Sequence, residues 1–165
     1  MLRIGMRLCW MAIAIFFIAG CAIDTGARAP FNQQELRWQG RMQLKIQSDP
    51  AQAFSTNFDL EGDAQAGKLS LLTPLGSTAA RLQWNANGAT MASAGEEQQF
   101  TSIDALTRHA TGSVIPIASL FGWLRGESPN TPGWQVELDD IAKGRLRAFR
   151  HSPEPPVELK IILDQ

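Results

Sequence analysis

Apolar and polar residues alternate along much of the chain after Trp38, as in β-strands with one buried and one solvated face. Four such segments come first, and Asn87-Gly88 then predicts a hairpin turn because both residues tolerate positive φ. The positions on the predicted apolar face are Trp38, Met42, Leu44 and Ile46; Phe54, Thr56, Phe58 and Leu60; Leu69 and Leu71; and Ala80, Leu82 and Trp84. The pattern predicts an antiparallel sheet with one apolar face.

Two helices are predicted between these strands and a second group of strands. Ser102 is a candidate N-cap for a first helix that ends at Gly112. Pro116 suits the first position of a second helix, which ends at Gly126. The apolar residues at helical spacing are Ile103, Leu106 and Ala110 in the first helix, and Ile117, Leu120, Phe121 and Leu124 in the second.

Strands resume around residues 134–138, 145–150 and 157–163. Strands, two helices and strands again in about 130 residues predict one curved sheet with the helices on its apolar face. Such a sheet either fills its interior with side chains or encloses a cavity, and the pattern leaves both possibilities open. If a cavity exists, its apolar lining should be Met42, Leu44, Phe58, Leu82, Trp84, Leu120 and Trp123.

The N-terminal segment is typical of a bacterial lipoprotein signal. Arg3 and Arg7 precede an apolar run, from Leu8 to Ile18, that is too short to span a membrane. Ile18-Ala19-Gly20-Cys21 resembles a lipobox, so residues 1–20 would be removed and Cys21 would become an acylated N-terminus. The alternative is an ordinary signal peptide in which Cys21 is incidental. Residues 21–35 are interpreted as a tether and residues 36–165 as the domain.

Composition restricts the possible partners. Without residues 1–20 the 165-residue chain keeps 145 residues, and its formal charge of −1 becomes −3 because Arg3 and Arg7 are lost. This charge gives no basic footprint, so we expect no nucleic acid as partner. Cys9 and Cys21 are the only cysteines, and a domain without either must be held together by its apolar core.

The sequence contains little that suggests catalysis or a metal site. It has two histidines, His109 and His151, both interpreted as surface residues, and no metal-binding or phosphate-binding motif. Asp139-Asp140 would point to opposite faces of a strand, and Glu96-Glu97 are predicted to lie in a solvated polar turn. We therefore expect a binding protein, not an enzyme, with no metal and no cofactor beyond the lipid on Cys21.

One predicted turn carries an apolar residue at its tip. In Thr73-Pro74-Leu75-Gly76-Ser77, Pro74 and Gly76 suit positions i+1 and i+3 of a type I turn, so Leu75 points outward. Leu75 either folds back onto its own sheet or acts as a small apolar probe for a membrane or a lipid.

These features together resemble the LolB family of outer-membrane lipoproteins over nearly the whole mature chain. The resemblance rests on four stretches in order: the lipobox ending at Cys21, WQGR at residues 38–41, LTPLGS at 72–77, and GSVIPIASLFGWLRG at 112–126. The last stretch is long and specific. Ala22, where Asp would signal inner-membrane retention, resembles the pattern of an outer-membrane destination.

The resemblance implies a fold and a function. The fold would be an incomplete antiparallel β-barrel, lidded by short helices around an apolar cavity that takes acyl chains. The protein would be anchored at the periplasmic face of the outer membrane, where it would receive lipoproteins from a LolA-like carrier and insert them. Leu75, between Pro74 and Gly76, would drive membrane insertion, and we expect the protein to act as a monomer.

Two other functions are compatible with the same residues. The first is a structural or assembly lipoprotein that binds a protein partner and has a filled core. The second is an envelope-anchored hydrolase, which the lack of a nucleophile–base pair disfavours. A ligand-sized apolar cavity would separate lipoprotein transfer from the structural role.

We expect Cys21 to be the acylated N-terminus of the mature protein, because it follows the lipobox directly. Labelled palmitate should enter the wild type and not Cys21→Ala. Equal labelling of both proteins would contradict the assignment.

Overall fold

The computed structural model describes residues 36–164. The predicted signal (1–20), the lipidation site Cys21 and the tether (21–35) lie outside the described residues. The described part contains nine strands, β1 to β9, and two α-helices, α1 and α2. In chain order they are β1 Arg37–Ile46, β2 Gln52–Gly62, β3 Gly67–Leu72, β4 Thr78–Asn85, β5 Gly88–Ser93, β6 Glu96–Phe100, α1 Ile103–Thr111, α2 Ile117–Leu124, β7 Trp134–Glu137, β8 Arg145–Arg150 and β9 Val157–Leu163.

All nine strands belong to one antiparallel sheet, in the order β6-β5-β4-β3-β2-β1-β9-β8-β7. β1 pairs with β2 on one side and with β9 on the other, so the first and last strands of the described residues are neighbours inside the sheet. β6 and β7 form the two edges and do not pair with each other, so the sheet is not closed. The prediction of a mainly β fold with two helices and a single antiparallel sheet is confirmed.

Strand register gathers the apolar residues on one face. Leu44 of β1 lies opposite Phe54 of β2 and Leu159 of β9, and directly opposed residues share a face. Leu82 of β4 lies opposite Leu69 of β3 in the same way. Leu44, Leu69, Leu82 and Leu159 belong to the hydrophobic core, and Phe54 lies at its exposed margin.

Helix α2 covers part of this apolar face. Phe121 is 1% exposed, with its ring centroid 5.4 Å from that of Trp38 and 6.2 Å from that of Trp84. Trp123, also 1% exposed, packs against Trp134 of β7 at 5.6 Å. Full burial of one large apolar side chain is worth ~1.5–3 kcal/mol, so these aromatic side chains dominate the attachment of α2.

Helix α1 begins and ends where the sequence predicted. The Ser102 hydroxyl accepts a hydrogen bond from the Ala105 backbone N–H at 3.1 Å. Gly112 terminates the helix in the left-handed region, at φ 72°, and its N–H donates to the Arg108 carbonyl at 2.8 Å. Within residues 36–164, no hydrogen bond joins either α-helix to a strand. Side-chain packing therefore holds both helices on the sheet.

Three local predictions differ from the structure. Pro116 is the N-cap of α2 and not its first residue. The β4–β5 turn consists of Ala86 and Asn87, since Gly88 already belongs to β5 and only Gly88 has positive φ. Glu96-Glu97 begin strand β6 instead of lying in a turn.

We expect Phe121→Ala to lower the free energy of unfolding by about 3–5 kcal/mol, because it removes a buried ring from between two tryptophans. Urea denaturation measures this loss. Ala118→Ser changes an exposed position of the same helix and should alter stability by less than about 0.5 kcal/mol. A loss below about 1 kcal/mol for Phe121→Ala would show that this ring does not anchor the helix.

Candidate functional site: an apolar pocket and its mouth

A pocket of about 790 Å³ lies between the sheet and the helices. This volume falls within the range of about 300–1,000 Å³ typical of small-molecule sites. Strands β1 to β5, strand β9, both helices and the segment between the helices all contribute to its wall. The lining residues are Met42, Leu44, Ala53, Phe54, Ser55, Thr56, Leu69, Leu71, Ala79, Ala80, Leu82, Trp84, Met91, Ser93, Ile103, Thr107, His109, Ala110, Thr111, Ile115, Ile117, Leu120 and Leu159.

The structure places five of the seven predicted lining residues on this wall: Met42, Leu44, Leu82, Trp84 and Leu120. It places the other two, Phe58 and Trp123, in the packed core and not on the pocket wall. Phe58 is 2% exposed on β2, and Trp123 is covered by Trp134. Both side chains lie in the apolar layer between the sheet and the helices, but they are packed against other side chains and do not border the pocket.

Sequence reasoning left several lining residues out of its set. Alternation predicts an apolar face that includes Leu69 and Leu71, and helical spacing does the same for Ile103 and Ile117, but neither pattern tells which of them line the pocket. Leu159 lies in the last predicted strand, 157–163. Met91 lies on β5, the strand after the predicted hairpin turn. The hairpin signal could have located it, since a second strand must follow and Met91 faces Leu82 across the pair.

The pocket opens to solvent on one side. Phe54 lines it and is 46% exposed, and Ala79, His109 and Ala110 are lining residues that are also exposed. A residue that lines a pocket and is exposed must lie at the mouth. The mouth therefore lies between β2 and β4 on the sheet side and the C-terminal half of α1 on the helix side.

The 73–77 loop adjoins this mouth. Leu71 and Ala80, which line the pocket, flank the loop along the chain. The Gly76 N–H donates to the Thr73 carbonyl at 2.9 Å, and the Thr73 N–H donates to the Ser77 carbonyl at 2.8 Å. Gly76 has φ 82°, a conformation that favours glycine.

Leu75 at the tip of this loop is 95% exposed. The alternative in which it folds back onto its own sheet is therefore wrong. The loop is closed by its own backbone hydrogen bonds and by the contact between the Thr73 and Ser77 hydroxyls at 2.8 Å. The leucine side chain contributes nothing visible to that closure.

Charged side chains are concentrated on the face of the sheet opposite the pocket. Arg37 donates two hydrogen bonds to the Asp59 carboxylate, at 2.6 and 3.0 Å, and thereby lowers the pKa of Asp59. Lys160 and Arg147 donate to Glu158 and lower its pKa in the same way. Among the residues that line the pocket, His109 is the only titratable one.

One cation lies on the apolar face, away from the pocket wall. Arg150 is 6% exposed; its guanidinium donates to the Pro155 carbonyl at 3.0 Å and stands 5.8 Å from the Trp134 ring centre. Burial lowers the pKa of Arg150. Neither helix in residues 36–164 is long and apolar enough to cross a membrane, and these residues contain no cluster of three potential metal ligands.

Comparison with known proteins gives one consistent result. Residues 36–154 match the family described as "Outer membrane lipoprotein LolB". A relative from Bordetella petrii named outer-membrane lipoprotein LolB is 32% identical over 145 residues, which cover 85% of this chain and 72% of the relative. Proteins of the same name from Chromobacterium violaceum and Ralstonia nicotianae are 26% and 30% identical, and the matches cover 88% and 74% of this chain and 74% and 63% of those relatives.

Proposed function

The chain belongs to the LolB family of outer-membrane lipoproteins, and on that premise we propose that its pocket receives the acyl chains of incoming lipoproteins. The sheet and the two helices then act as an incomplete barrel around an acyl-binding cavity. Membership of this family agrees with the prediction that the protein is not an enzyme. It acts on lipoproteins at the outer membrane.

The observation that carries the proposal is the apolar pocket with an open mouth. A structural lipoprotein with a filled core would contain no pocket of this size. Each methylene transferred from water to an apolar environment is worth ~0.8 kcal/mol, so an acyl chain gains enough to enter without any other contact. Because each buried methylene contributes this much, a small difference in fit between the carrier's cavity and this pocket is enough to set the direction of transfer.

The proposed path has three stages and runs downhill. A LolA-like periplasmic carrier presents the lipoprotein, the acyl chains enter this pocket, and they then leave for the bilayer. The loop that carries Leu75 joins the strand segments of the lining residues Leu71 and Ala79, which suits a protein that delivers cargo where its loop meets the membrane. Acylation of Cys21 would keep the domain at the outer membrane during this transfer, since two or more acyl chains anchor firmly.

We expect the domain to bind a fluorescent fatty-acyl probe saturably, and a lipoprotein to displace it. Ala80→Phe should weaken binding by roughly tenfold or more, because the ring occupies the wall beside Leu71 and Ser93. Ala92→Phe is the matched control, since Ala92 pairs with Arg81 on the opposite face of the sheet.

Fluorescence titration measures both affinities. Absence of saturable binding to the wild-type domain would overturn the acyl-binding function and favour a role in binding a protein partner. Equal losses for Ala80→Phe and Ala92→Phe would show that the probe binds elsewhere.

Leu75→Glu should separate acceptance of cargo from delivery. We expect its melting temperature to stay close to that of the wild type, because the side chain is 95% exposed. A leucine gains ~1.5–3 kcal/mol on entering an apolar phase, whereas a carboxylate opposes entry. The variant should accept a lipoprotein from the carrier and fail to release it into liposomes.

Gln83→Glu provides the control for this charge change, because Gln83 is exposed on β4 away from the loop. It should deliver cargo normally. A loss of several degrees in the melting temperature of Leu75→Glu would identify Leu75 as a structural residue, and normal delivery would rule out the loop as the membrane probe.

A further inference from the structure

His109 occupies an unusual position in the pocket wall. It projects from the C-terminal half of α1, lines the pocket and is exposed, so its imidazole lies at the mouth. The Phe100 ring of β6 packs against it, with the two ring centroids 5.1 Å apart. This contact restricts the orientation of the imidazole.

The hydrogen-bonding capacity of this imidazole is unused within the described chain. No side-chain hydrogen bond or ion pair to another residue in 36–164 involves His109. The threonine and serine hydroxyls around the pocket, in contrast, donate to backbone carbonyls. The Thr56 hydroxyl donates to the Leu72 carbonyl, and the Ser93 hydroxyl donates to the Ala79 carbonyl. In α1, the Thr107 hydroxyl donates to the Asp104 carbonyl and the Thr111 hydroxyl to the Thr107 carbonyl.

The remaining hydroxyl of the lining, that of Ser55, belongs to the alternate set of β2 positions. Ser55 pairs with Gln43, whose side of the sheet is the polar one. His109 and Ser55 are therefore the two polar side chains of the exposed rim that keep a free donor among the described residues, and His109 is the one on the helix side of the mouth. A neutral imidazole always keeps one N–H donor, and a protonated one has two.

A lipid-modified N-terminus places acceptors at this level. Its acyl chains are joined through ester or amide carbonyl groups, so chains that fill the pocket leave those carbonyls at the mouth. A carbonyl that enters an apolar rim loses hydrogen bonds to water and needs a replacement.

We propose that His109 donates a hydrogen bond to the acyl carbonyl groups of the cargo and so selects chains linked through carbonyls. This inference rests on the proposed acyl-binding function. In that function, His109 is the residue that recognises the polar end of the lipid. His109 then sets the depth at which the chains stop, in addition to contributing to affinity.

The test compares two ligands that differ only in the carbonyls: a diacylglycerol and a dialkylglycerol ether with chains of equal length. The wild-type domain should bind the ester ligand roughly three- to tenfold more tightly than the ether. In His109→Phe, which keeps a ring against Phe100 but has no donor, the ester should lose that advantage and the ether should bind as in the wild type. His109→Gln, which keeps an N–H donor, should retain part of the preference.

The ester-to-ether ratio is measured within each variant, so a general loss of stability does not imitate the effect. If the wild type binds neither ligand, the acyl-binding function fails and this inference fails with it. If the wild type binds both and His109→Phe keeps the ester preference, the acyl pocket stands and the role of His109 is overturned. Equal weakening of both ligands by His109→Phe would also overturn it, since that result identifies a structural residue.

Discussion

The structure depends on how an unclosed sheet covers its apolar face. β6 and β7 do not pair, so the apolar side chains of nine strands cannot be buried by closing a barrel. Helix α2 supplies the cover, and Phe121 between Trp38 and Trp84 is the main contact. Because α1 and α2 are short and do not fill the space above the sheet, part of that face remains as the pocket wall. Core and pocket are therefore two regions of the same surface.

This shared surface explains which parts of the site could be predicted. Alternation identified the apolar face of β1 to β4, and capping signals located α1, because both patterns depend on near neighbours in the chain. Whether a residue on that face lies under α2 or opens into the pocket depends on where the helix rests. Phe58 and Leu82 have the same kind of pattern in the sequence, yet only Leu82 lines the pocket.

Strand β6 shows a second limit of sequence reasoning. Its residues Glu96–Phe100 are polar at four of five positions, and those four are exposed. An edge strand that buries neither face has no reason to alternate, so no period-two signal is present. Tertiary pairing with β5 makes it a strand. Pattern analysis also cannot locate polar groups at the mouth, such as His109, because only the fold packs α1 against β5 and β6 and so places His109 on the pocket wall.

The pocket is enclosed by walls of two physical kinds. On one side, ladder hydrogen bonds fix the strands at defined spacings. On the other, α1 and α2 rest on the sheet through apolar contacts, and no hydrogen bond from these helices to the strands is found in the described chain. Apolar contact has little directional preference, so the helices can shift by fractions of an ångström without breaking a bond. The internal volume is thus adjustable on one side, and if the pocket receives acyl chains as proposed, this would let one pocket hold chains that differ in length and saturation.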